Sequence, residues 1–381
     1  MTAQPRLPTV QFVSRPGILD LGWGHPHPDA LPVQRWRVAT EQTLASAGDR
    51  ALTYGHAAGP GELREWLAER DSIGDAANVF VTAGASHALE LLTLLLARPG
   101  DVVLVDCPTY HLALRIFADA GVELVAAPSD EEGIDPAGTG DLVRRLRRAG
   151  RSVSLLYSVP TFANPTGATL SADRRVALTQ VAAGSGLTLI EDDTYRDLAY
   201  GDAAPPTLWS LSDQTCVVRV GSFSKSVAPG LRLGWVNAAR SIVERLERRG
   251  YIDSGGGVNH ATAMTMATFG SSGSYELHLA DVRRRYASQR DTLLRHLARE
   301  AGLVMTPPRG GWFAWARLPE GVSAAALLVE AERRGVSFVA GSQFHVDGRG
   351  DDHIRLAFSM LGPDETGQAV QRLGAALRAV R

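Results

Sequence analysis

The sequence predicts an α/β fold, in which a mostly parallel seven-stranded sheet is sandwiched by helices and is followed by a smaller α+β domain. Between Ala76 and Val236, short β-branched runs alternate with helical stretches. This alternation is typical of a parallel sheet that is covered on both faces. After Gly250 the alternation stops, and a long helical stretch precedes shorter strands and helices. The change of pattern indicates a second, smaller unit.

The domain organisation follows from the same patterns. Residues 1–30 are rich in proline and are predicted to form an N-terminal arm that contributes to the small domain and the active site. Residues 31–270 are predicted to form the large domain, and residues 271–381 the small C-terminal domain.

The predicted sheet consists of short apolar runs, most of them rich in β-branched residues. These runs are Val79–Thr82, Val102–Asp106, Val122–Ala126, Val153–Ser158, Thr188–Asp192, Val217–Val220 and Leu233–Val236. Helices are predicted between most of them, including Ser86–Ala97 with Ser86 as its N-cap, and Ser171–Ala183.

The predicted small domain begins with a long helix and mixes strands with helices. Its elements are a helix at Ser274–Glu300, strands at Phe313–Leu318, Ser337–Ala340 and Ile354–Ala357, and helices at Ala324–Arg334 and Glu365–Arg378.

Composition excludes several classes of function. The 381 residues include 39 basic and 41 acidic side chains, and this balance argues against a nucleic-acid binder. Two cysteines are too few for a disulfide framework and fit a reducing compartment, so we expect a cytoplasmic protein. No metal-type spacing of cysteine or histidine appears, and no apolar run is long enough for a membrane span.

Lysine is almost absent from the chain, which has 38 arginines and the single lysine Lys225. Arginine replaces lysine on most surfaces, but its guanidinium stays protonated and cannot form and break covalent bonds as an amine does. Lys225 follows an apolar strand, lies in a serine- and glycine-rich turn, and precedes Arg232 by seven positions. This setting indicates a Schiff-base lysine beside an anionic carbonyl cofactor.

The segment around Lys225 has the form S-x-S-K-x-x-x-P-G-x-R-x-G-W. It resembles the lysine region of fold-type I pyridoxal-phosphate (PLP) enzymes, in particular class I/II aminotransferases of the aminoadipate and aromatic branch. The resemblance extends from about residue 20 to the end of the chain. It implies PLP as cofactor and a homodimer with a shared active site.

The resemblance also implies the catalytic residues. Lys225 would anchor the cofactor and act as the base. In Glu191-Asp192-Asp193-Thr194-Tyr195, the family spacing selects Asp192 to pair with the pyridine nitrogen and Tyr195 to bond the phenolate oxygen. Three adjacent acids repel one another unless a positive group lies nearby.

Further cofactor contacts are implied at several motifs. The phosphate would lie on the Gly84, Ala85 and Ser86 turn, where a helix N-terminus favours an anion. The other implied contacts are Tyr110 stacking on the ring, Asn164 of Asn-Pro-Thr-Gly at the phenolate oxygen, Ser222, Ser224 and Arg232 at the phosphate, and Tyr54 reaching the phosphate of the neighbouring subunit.

Substrate contacts are implied at Arg355, which would grip the α-carboxylate with two parallel bonds, and at Asn164 and Gly24. The glycine-rich stretch 252–260 departs from the family. Its polar residues Asp253, Asn259 and His260 either contact a polar substrate group or belong to an interface turn before a helix. His25 and His27 are further possible contacts.

Three functions fit these patterns. The first is an aminotransferase that moves the amino group of an L-α-amino acid to a 2-oxo acid. The second is a PLP-dependent cyclase or elimination/replacement enzyme for a guanidino or other polar amino acid, which the segment from Asp253 to His260 suggests. The third is a non-catalytic sensor of the kind that follows a DNA-binding domain. Because the predicted fold starts near residue 20, we expect no winged helix before it.

Overall fold

The computed structural model describes residue 11 and residues 15–381; residues 1–10 and 12–14 of the predicted arm lie outside the described residues. Its strands are β1 (Leu19–Asp20), β2 (Val79–Thr82), β3 (Val102–Val105), β4 (Glu123–Ala126), β5 (Ser129–Asp130), β6 (Gly133–Ile134), β7 (Val153–Ser158), β8 (Thr188–Asp192), β9 (Val217–Ser222), β10 (Gly234–Asn237), β11 (Phe313–Arg317), β12 (Val336–Ser337), β13 (Val339–Ala340) and β14 (His353–Ala357).

The α-helices of the described residues flank these strands. They are α1 (Val33–Ala47), α2 (Gly61–Arg70), α3 (Ala85–Leu96), α4 (His111–Asp119), α5 (Pro136–Arg148), α6 (Ala172–Ser185), α7 (Leu208–Leu211), α8 (Phe223–Ser226), α9 (Arg240–Glu247), α10 (His260–Ser271), α11 (Ser274–His296), α12 (Ala324–Arg333) and α13 (Pro363–Val380). None of these described helices combines the length and hydrophobicity that crossing a bilayer requires.

The central sheet has the predicted seven strands, in the order β2-β10-β9-β8-β7-β3-β4. Strands β9, β8, β7, β3 and β4 run parallel, whereas β10 runs antiparallel to both of its neighbours. Every residue of β3 is buried, which explains its uninterrupted run of valine and leucine. A parallel strand that is covered on both faces has no polar side to show.

Strand direction determines where a site can form. Because β7, β8 and β9 are parallel, the residues that follow them lie at one edge of the sheet. Strand β10 runs the other way, so its first residues lie at this same edge. There Gly234 pairs with Ser222 of β9 and with Thr82 of β2. The loops that carry the predicted motifs therefore converge.

The C-terminal region contains an antiparallel sheet in the order β11-β14-β13. The prediction of one strand over Ser337–Ala340 was wrong: β12 pairs in parallel with β1 of the arm, and β13 pairs with β14. The chain changes sheets at the buried Phe338, which separates the two short strands. The long helix ends at His296, before a π-helical turn at Leu297–Ala301. The domain boundaries at residues 30 and 270 stay predictions.

A buried network of charges joins α2 to the sheet. Arg219 of β9 donates to Asp193 at 2.9 Å and to Asp71 at 2.7 Å, and all three side chains are buried. Arg70 donates to Asp71 at 2.7 Å, while its guanidinium lies 4.9 Å from the Trp235 ring centroid. Two buried carboxylates therefore share one arginine at the end of β8.

Replacing this arginine tests the network. In Arg219→Ala, Asp193 loses the arginine that donates to it and Asp71 keeps only Arg70, so we expect a loss of about 3–5 kcal/mol in the free energy of unfolding. Urea denaturation at neutral pH measures the loss. The matched control is Arg240→Ala, which removes an exposed pair with Glu244 and should cost less than about 1 kcal/mol. Equal costs in the two variants would contradict the network's role.

Candidate active site

Asp192, at the end of β8, is buried and accepts a hydrogen bond from the Tyr157 hydroxyl at 2.7 Å. Its other carboxylate oxygen accepts from the Thr194 backbone N–H at 3.3 Å. Burial raises the pKa of the Asp192 carboxyl above its usual value, and the hydrogen bond from Tyr157 opposes the increase. Tyr157 therefore stabilises a buried Asp192 carboxylate that can bind a cation or accept from an N–H group.

The acids on either side of Asp192 have structural partners. Glu191 accepts from two backbone N–H groups at the start of α7, at 2.8 and 3.1 Å. Burial raises its pKa to about 7. Asp193 is bound by Arg219. Asp192 is the member of the triplet whose charge acts on both Lys225 and Tyr110, so it is the acid that faces the site.

Lys225 belongs to the single turn of α8, directly after β9. Its Nζ lies 4.6 Å from the Trp312 ring centroid and 5.8 Å from that of Tyr195. Burial, and after it the charge of Arg355, lower the pKa of Lys225 to about 8. An amine with this pKa is neutral often enough near neutral pH to act as a nucleophile or base.

Arg355 lies in β14 and is almost fully buried. One of its terminal nitrogens donates to Asn164 Oδ1 at 2.8 Å, and the other donates to the Gly22 carbonyl at 2.6 Å. Its guanidinium lies 4.2 Å from the Phe313 ring centroid, and among the described residues its Nε has no hydrogen-bond partner. Burial lowers the pKa of Arg355 to about 10. A buried cation with a spare donor is suited to a carboxylate ligand.

Asn164 lies in the loop between β7 and α6, which a fully buried arginine secures. Arg175 of α6 donates to the carbonyls of Leu170 at 2.9 Å and Pro160 at 2.6 Å, at the two ends of this loop. It also donates to the Thr161 hydroxyl at 2.9 Å. The loop position of Asn164 therefore depends on Arg175, which the sequence motifs did not reveal.

The glycine turn before α3 meets Arg232. Gly84 has φ +96°, and a Cβ there would lie 2.6 Å from Arg232 Nη2, so the position requires glycine. Arg232 donates to the Ala83 carbonyl at 3.0 Å and lies 3.5 Å from the Ser224 hydroxyl. The Ser222 hydroxyl accepts from the Ser224 N–H at 3.1 Å. Positive charge, hydroxyl groups and a helix N-terminus thus converge at this turn.

The prediction that Ser86 caps α3 was wrong. The helix begins at Ala85, and Gly84 is the N-cap without a side-chain hydrogen bond. Ser86 lies in the first turn and is exposed. The first N–H groups of α3 therefore have no side-chain cap, which leaves them available to an anion.

Two tyrosines line the same edge of the sheet. Tyr110 immediately precedes α4, and burial followed by the charge of Asp192 raises its pKa to about 12. Tyr195 is buried against Trp312 and Phe313, with ring centroids 5.9 and 5.7 Å away, and burial raises its pKa. Both phenols therefore stay protonated at neutral pH and can donate hydrogen bonds.

Tyr54 lies apart from this group: it is 90% exposed, and its ring covers Gly255. In the same region Asn259 caps α10 by accepting from the Thr262 N–H at 2.9 Å, and His260 Nε2 lies 3.0 Å from the Arg50 carbonyl. Asn259 thus has the structural role that was the alternative to substrate contact. Asp253 is exposed, and both its contact with substrate and the reach of Tyr54 into a neighbouring subunit stay predictions.

The arm contributes backbone more than side chains. A Cβ at Gly24 would lie 2.8 Å from the Phe313 ring, so glycine lets the arm pack on the residue beneath Arg355. The carbonyl that contacts Arg355 belongs to Gly22. His27 accepts from the Asp29 N–H at 3.1 Å as a local cap, and His25 Nδ1 lies 3.0 Å from the Pro26 carbonyl.

The structure therefore brings most predicted site residues together at one edge of the central sheet, and Tyr54 lies apart from them. Sequence reasoning missed Tyr157, Arg175 and the aromatic pair Trp312–Phe313. The signal for the pair was present, since two aromatic residues follow Pro-Arg-Gly-Gly immediately before a predicted strand. Tyr157 gave no such signal, because its role depends on β7 lying beside β8.

Comparison with known proteins identifies the class of enzyme that this arrangement resembles. A family model described as aminotransferase class I and II matches residues 16–373. The chain is 29% identical over 377 residues to aromatic-amino-acid aminotransferase 1 of Thermococcus litoralis, covering 97% of the chain and 90% of the relative. It is 31% identical over 377 residues to the 2-aminoadipate transaminase of Thermus thermophilus, covering 97% and 92%.

A solved structure gives the same picture. The α-aminoadipate aminotransferase LysN of Thermus thermophilus, in complex with N-(5'-phosphopyridoxyl)-L-leucine, superposes with a TM-score of 0.86 at 31% identity, over 96% of this chain and 93% of that one. An uncharacterised HTH-type regulator of Bacillus subtilis, YisV, is 31% identical, but the match spans only 72% of its length and 93% of this chain.

The Tyr157 hydroxyl offers a direct test of the Asp192 environment. Tyr157→Phe should raise the pKa of Asp192 further, because a buried carboxylate loses a donor. A hydrogen bond to a charged group contributes about 1.5–3 kcal/mol, which corresponds to about 1–2 pKa units. Infrared titration of the carboxyl C=O stretch measures the change, with the band assigned by its loss in Asp192→Asn. An unchanged titration midpoint would show that the 2.7 Å contact has no electrostatic effect.

Proposed function

The chain belongs to the class I and II aminotransferase family, and from this premise we propose that it moves the amino group of a long-chain L-α-amino acid, aromatic or aminoadipate-like, to a 2-oxo acid. PLP-dependent amino-group transfer is the activity of the relatives that the comparisons name as aminotransferases, and the chain is an enzyme of that kind. The substrate class rests on those names and on the site. None of the relatives described above is named as a cyclase or elimination enzyme.

The residues present fit PLP at its phosphate end. An anion at the Gly84 turn would meet the uncapped N-terminus of α3, the Arg232 guanidinium and the hydroxyls of Ser222 and Ser224. Glycine is favoured there in any case, because a φ of +96° strains residues that carry a side chain. These donors would hold a phosphate dianion through charge-assisted hydrogen bonds.

The residues also fit the ring of the cofactor. We assign Asp192 to the pyridine nitrogen, since a buried carboxylate stabilises a proton on that nitrogen. Asn164 and Tyr195 are assigned to the phenolate oxygen, and Tyr110 to the ring face. When bound, PLP supplies the electron sink that makes bond breaking at the amino acid Cα possible.

Lys225 provides the amine at the centre of the site. With a pKa of about 8, roughly a tenth of its side chains are neutral at pH 7, enough to take a proton from the substrate Cα and return it. The rings of Trp312 and Tyr195 limit water around Nζ and fix its position. Arginine at this position would stay charged and could do neither task.

The observation that best supports amino-acid chemistry is the Arg355 guanidinium. Asn164 and Gly22 already hold its two terminal nitrogens in position, and its Nε lacks a partner among the described residues. A substrate α-carboxylate would replace part of this arrangement and form parallel hydrogen bonds. This binding would place the substrate Cα near Lys225.

We further propose a homodimer whose active sites are shared. Tyr54, which the resemblance places at the cofactor phosphate of the neighbouring subunit, is 90% exposed in a single chain. Leu52, two positions before it, is 73% exposed, so the segment presents an apolar and aromatic surface that a partner subunit would cover. Tyr251, 65% exposed, extends the same surface. The expectation that the protein works in the cytoplasm stays a prediction.

A panel of amino donors tests the function. Holoenzyme is incubated with 2-oxoglutarate and each of phenylalanine, tyrosine, kynurenine, 2-aminoadipate, leucine, alanine and arginine, and glutamate formation is measured. We expect transfer with the aromatic or aminoadipate donors and none with Lys225→Ala. If no donor yields glutamate and arginine is consumed, the elimination or cyclisation alternative replaces this proposal.

The pKa of Lys225 predicts how the apoenzyme captures PLP. Only the neutral form of Lys225 would be nucleophilic toward an aldehyde, so the rate of PLP capture should rise with pH through about 8 and level off above it. Stopped-flow absorbance, recorded from about pH 6 to about pH 10 so that both sides of the lysine pKa are covered, measures the midpoint. Removing a nearby cation in Arg355→Gln should move the midpoint upward. A midpoint near the ordinary lysine value in both proteins would contradict the assignment.

A further inference from the structure

We propose that Cys107, His345 and Asp347 form a binding site for a thiophilic divalent metal ion, such as Zn²⁺, that fastens two loops beside the active site to each other. The Cys107 Sγ lies 3.1 Å from His345 Nδ1. Their ligand atoms and a carboxylate oxygen of Asp347 all lie within 4.8 Å of one another. No role in the aminotransferase reaction has been assigned to these residues above.

The three residues come from distant parts of the chain. Cys107 follows β3 and precedes Tyr110 by three positions, while His345 and Asp347 follow a 3-10 turn at Gly341–Phe344. Cys107 and His345 are 238 positions apart, which explains why no metal-type spacing is visible in the sequence. Only the folded chain creates the cluster.

The set of ligands selects the class of metal. A thiolate, an imidazole nitrogen and a carboxylate together suit Zn²⁺ and similar ions, whereas Mg²⁺ and Ca²⁺ prefer oxygen ligands alone. Bond lengths of about 2.0–2.3 Å in a tetrahedral site place ligand atoms about 3.3–3.8 Å apart. The widest pair here must therefore close by about 1 Å, which the exposed Asp347 side chain can do. Water would occupy the fourth position.

Metal binding requires three local changes. The Cys107 thiol must lose its proton to solvent as the metal–sulfur bond forms. The Arg349 guanidinium, which lies 3.4 Å from Asp347 and close to the Cys107 thiol, must also turn away. Arg349 is 59% exposed, so water can hydrate it elsewhere. The buried thiol and half-buried imidazole already face each other, and their 3.1 Å contact must open by about 0.2–0.7 Å to admit the ion.

An ion at this position would connect the two sides of the active site. The Thr109 N–H already donates to the Phe344 carbonyl at 2.9 Å, and the Phe344 ring lies 4.8 Å from the Arg355 guanidinium. The metal would add a second link between the loop that carries Tyr110 and the segment that packs on Arg355. Bound metal would therefore raise thermal stability and restrict relative movement of these two loops.

Cobalt serves as the spectroscopic probe. Holoenzyme treated with a chelator and desalted is titrated with Co²⁺ alone, and visible d–d bands report tetrahedral thiolate coordination. We expect one equivalent to bind, with displacement by Zn²⁺. Cys107→Ser should abolish the bands and weaken binding by at least about tenfold, since even loss of an outer partner of a metal ligand costs about 10–100-fold. Zn²⁺ should raise the melting temperature of the wild type but not that of Cys107→Ser.

Matched variants make the result decisive. Cys216→Ser removes the other free cysteine, which lies away from the cluster, and should bind Co²⁺ as the wild type does. Asp347→Asn changes an exposed residue and is expected to fold while binding less tightly. Absence of d–d bands in the wild type, or equal affinity in wild type, Cys107→Ser and Asp347→Asn, would overturn the proposal. Unchanged cofactor absorbance in each variant confirms that it is folded.

Discussion

Three consecutive acids at the buried end of β8 impose the constraint on which the rest of the site depends. A carboxylate in the protein interior needs its own compensation, and neighbours of like charge increase that need. The fold supplies three different solutions within a few ångströms. Backbone N–H groups at the start of α7 donate to Glu191, an arginine shared with Asp71 binds Asp193, and the Tyr157 hydroxyl donates to Asp192. Of the three acids, only Asp192 acts through its charge on both Lys225 and Tyr110.

Positive charge is concentrated at the same site. Burial lowers the pKa of Lys225 most, and the nearby charges of Arg355 and Arg232 lower it further, against the opposing charge of Asp192. These neighbouring cations destabilise one another unless anions bind beside them. A phosphate and a carboxylate would relieve that repulsion, which explains how one site can bind a doubly anionic cofactor and an amino acid together. The clustered cations therefore lower the stability of the protein when no anionic ligand is bound.

Local patterns in the sequence predict much of this structure. All seven strands of the sheet were predicted within two residues at each end, because buried parallel strands leave unbroken apolar runs. The family motifs led to Lys225, Asp192, Asn164 and Arg355. Long-range partners such as Tyr157 depend on strand order and cannot be deduced from local patterns. The Ser86 cap and the strand at Ser337–Ala340 failed for a related reason, since backbone conformation and sheet pairing overrode residue preference.

The reversed direction of β10 has a consequence for the order of folding. Arg232 reaches the glycine turn across 149 positions of sequence, and it can do so only once β10 has inserted between β2 and β9. The anion cradle is thus one of the contacts of greatest sequence separation in the sheet, and such contacts form late. A chain that is still assembling has no complete phosphate grip. We therefore expect a chain whose β10 has not yet inserted to hold the cofactor weakly.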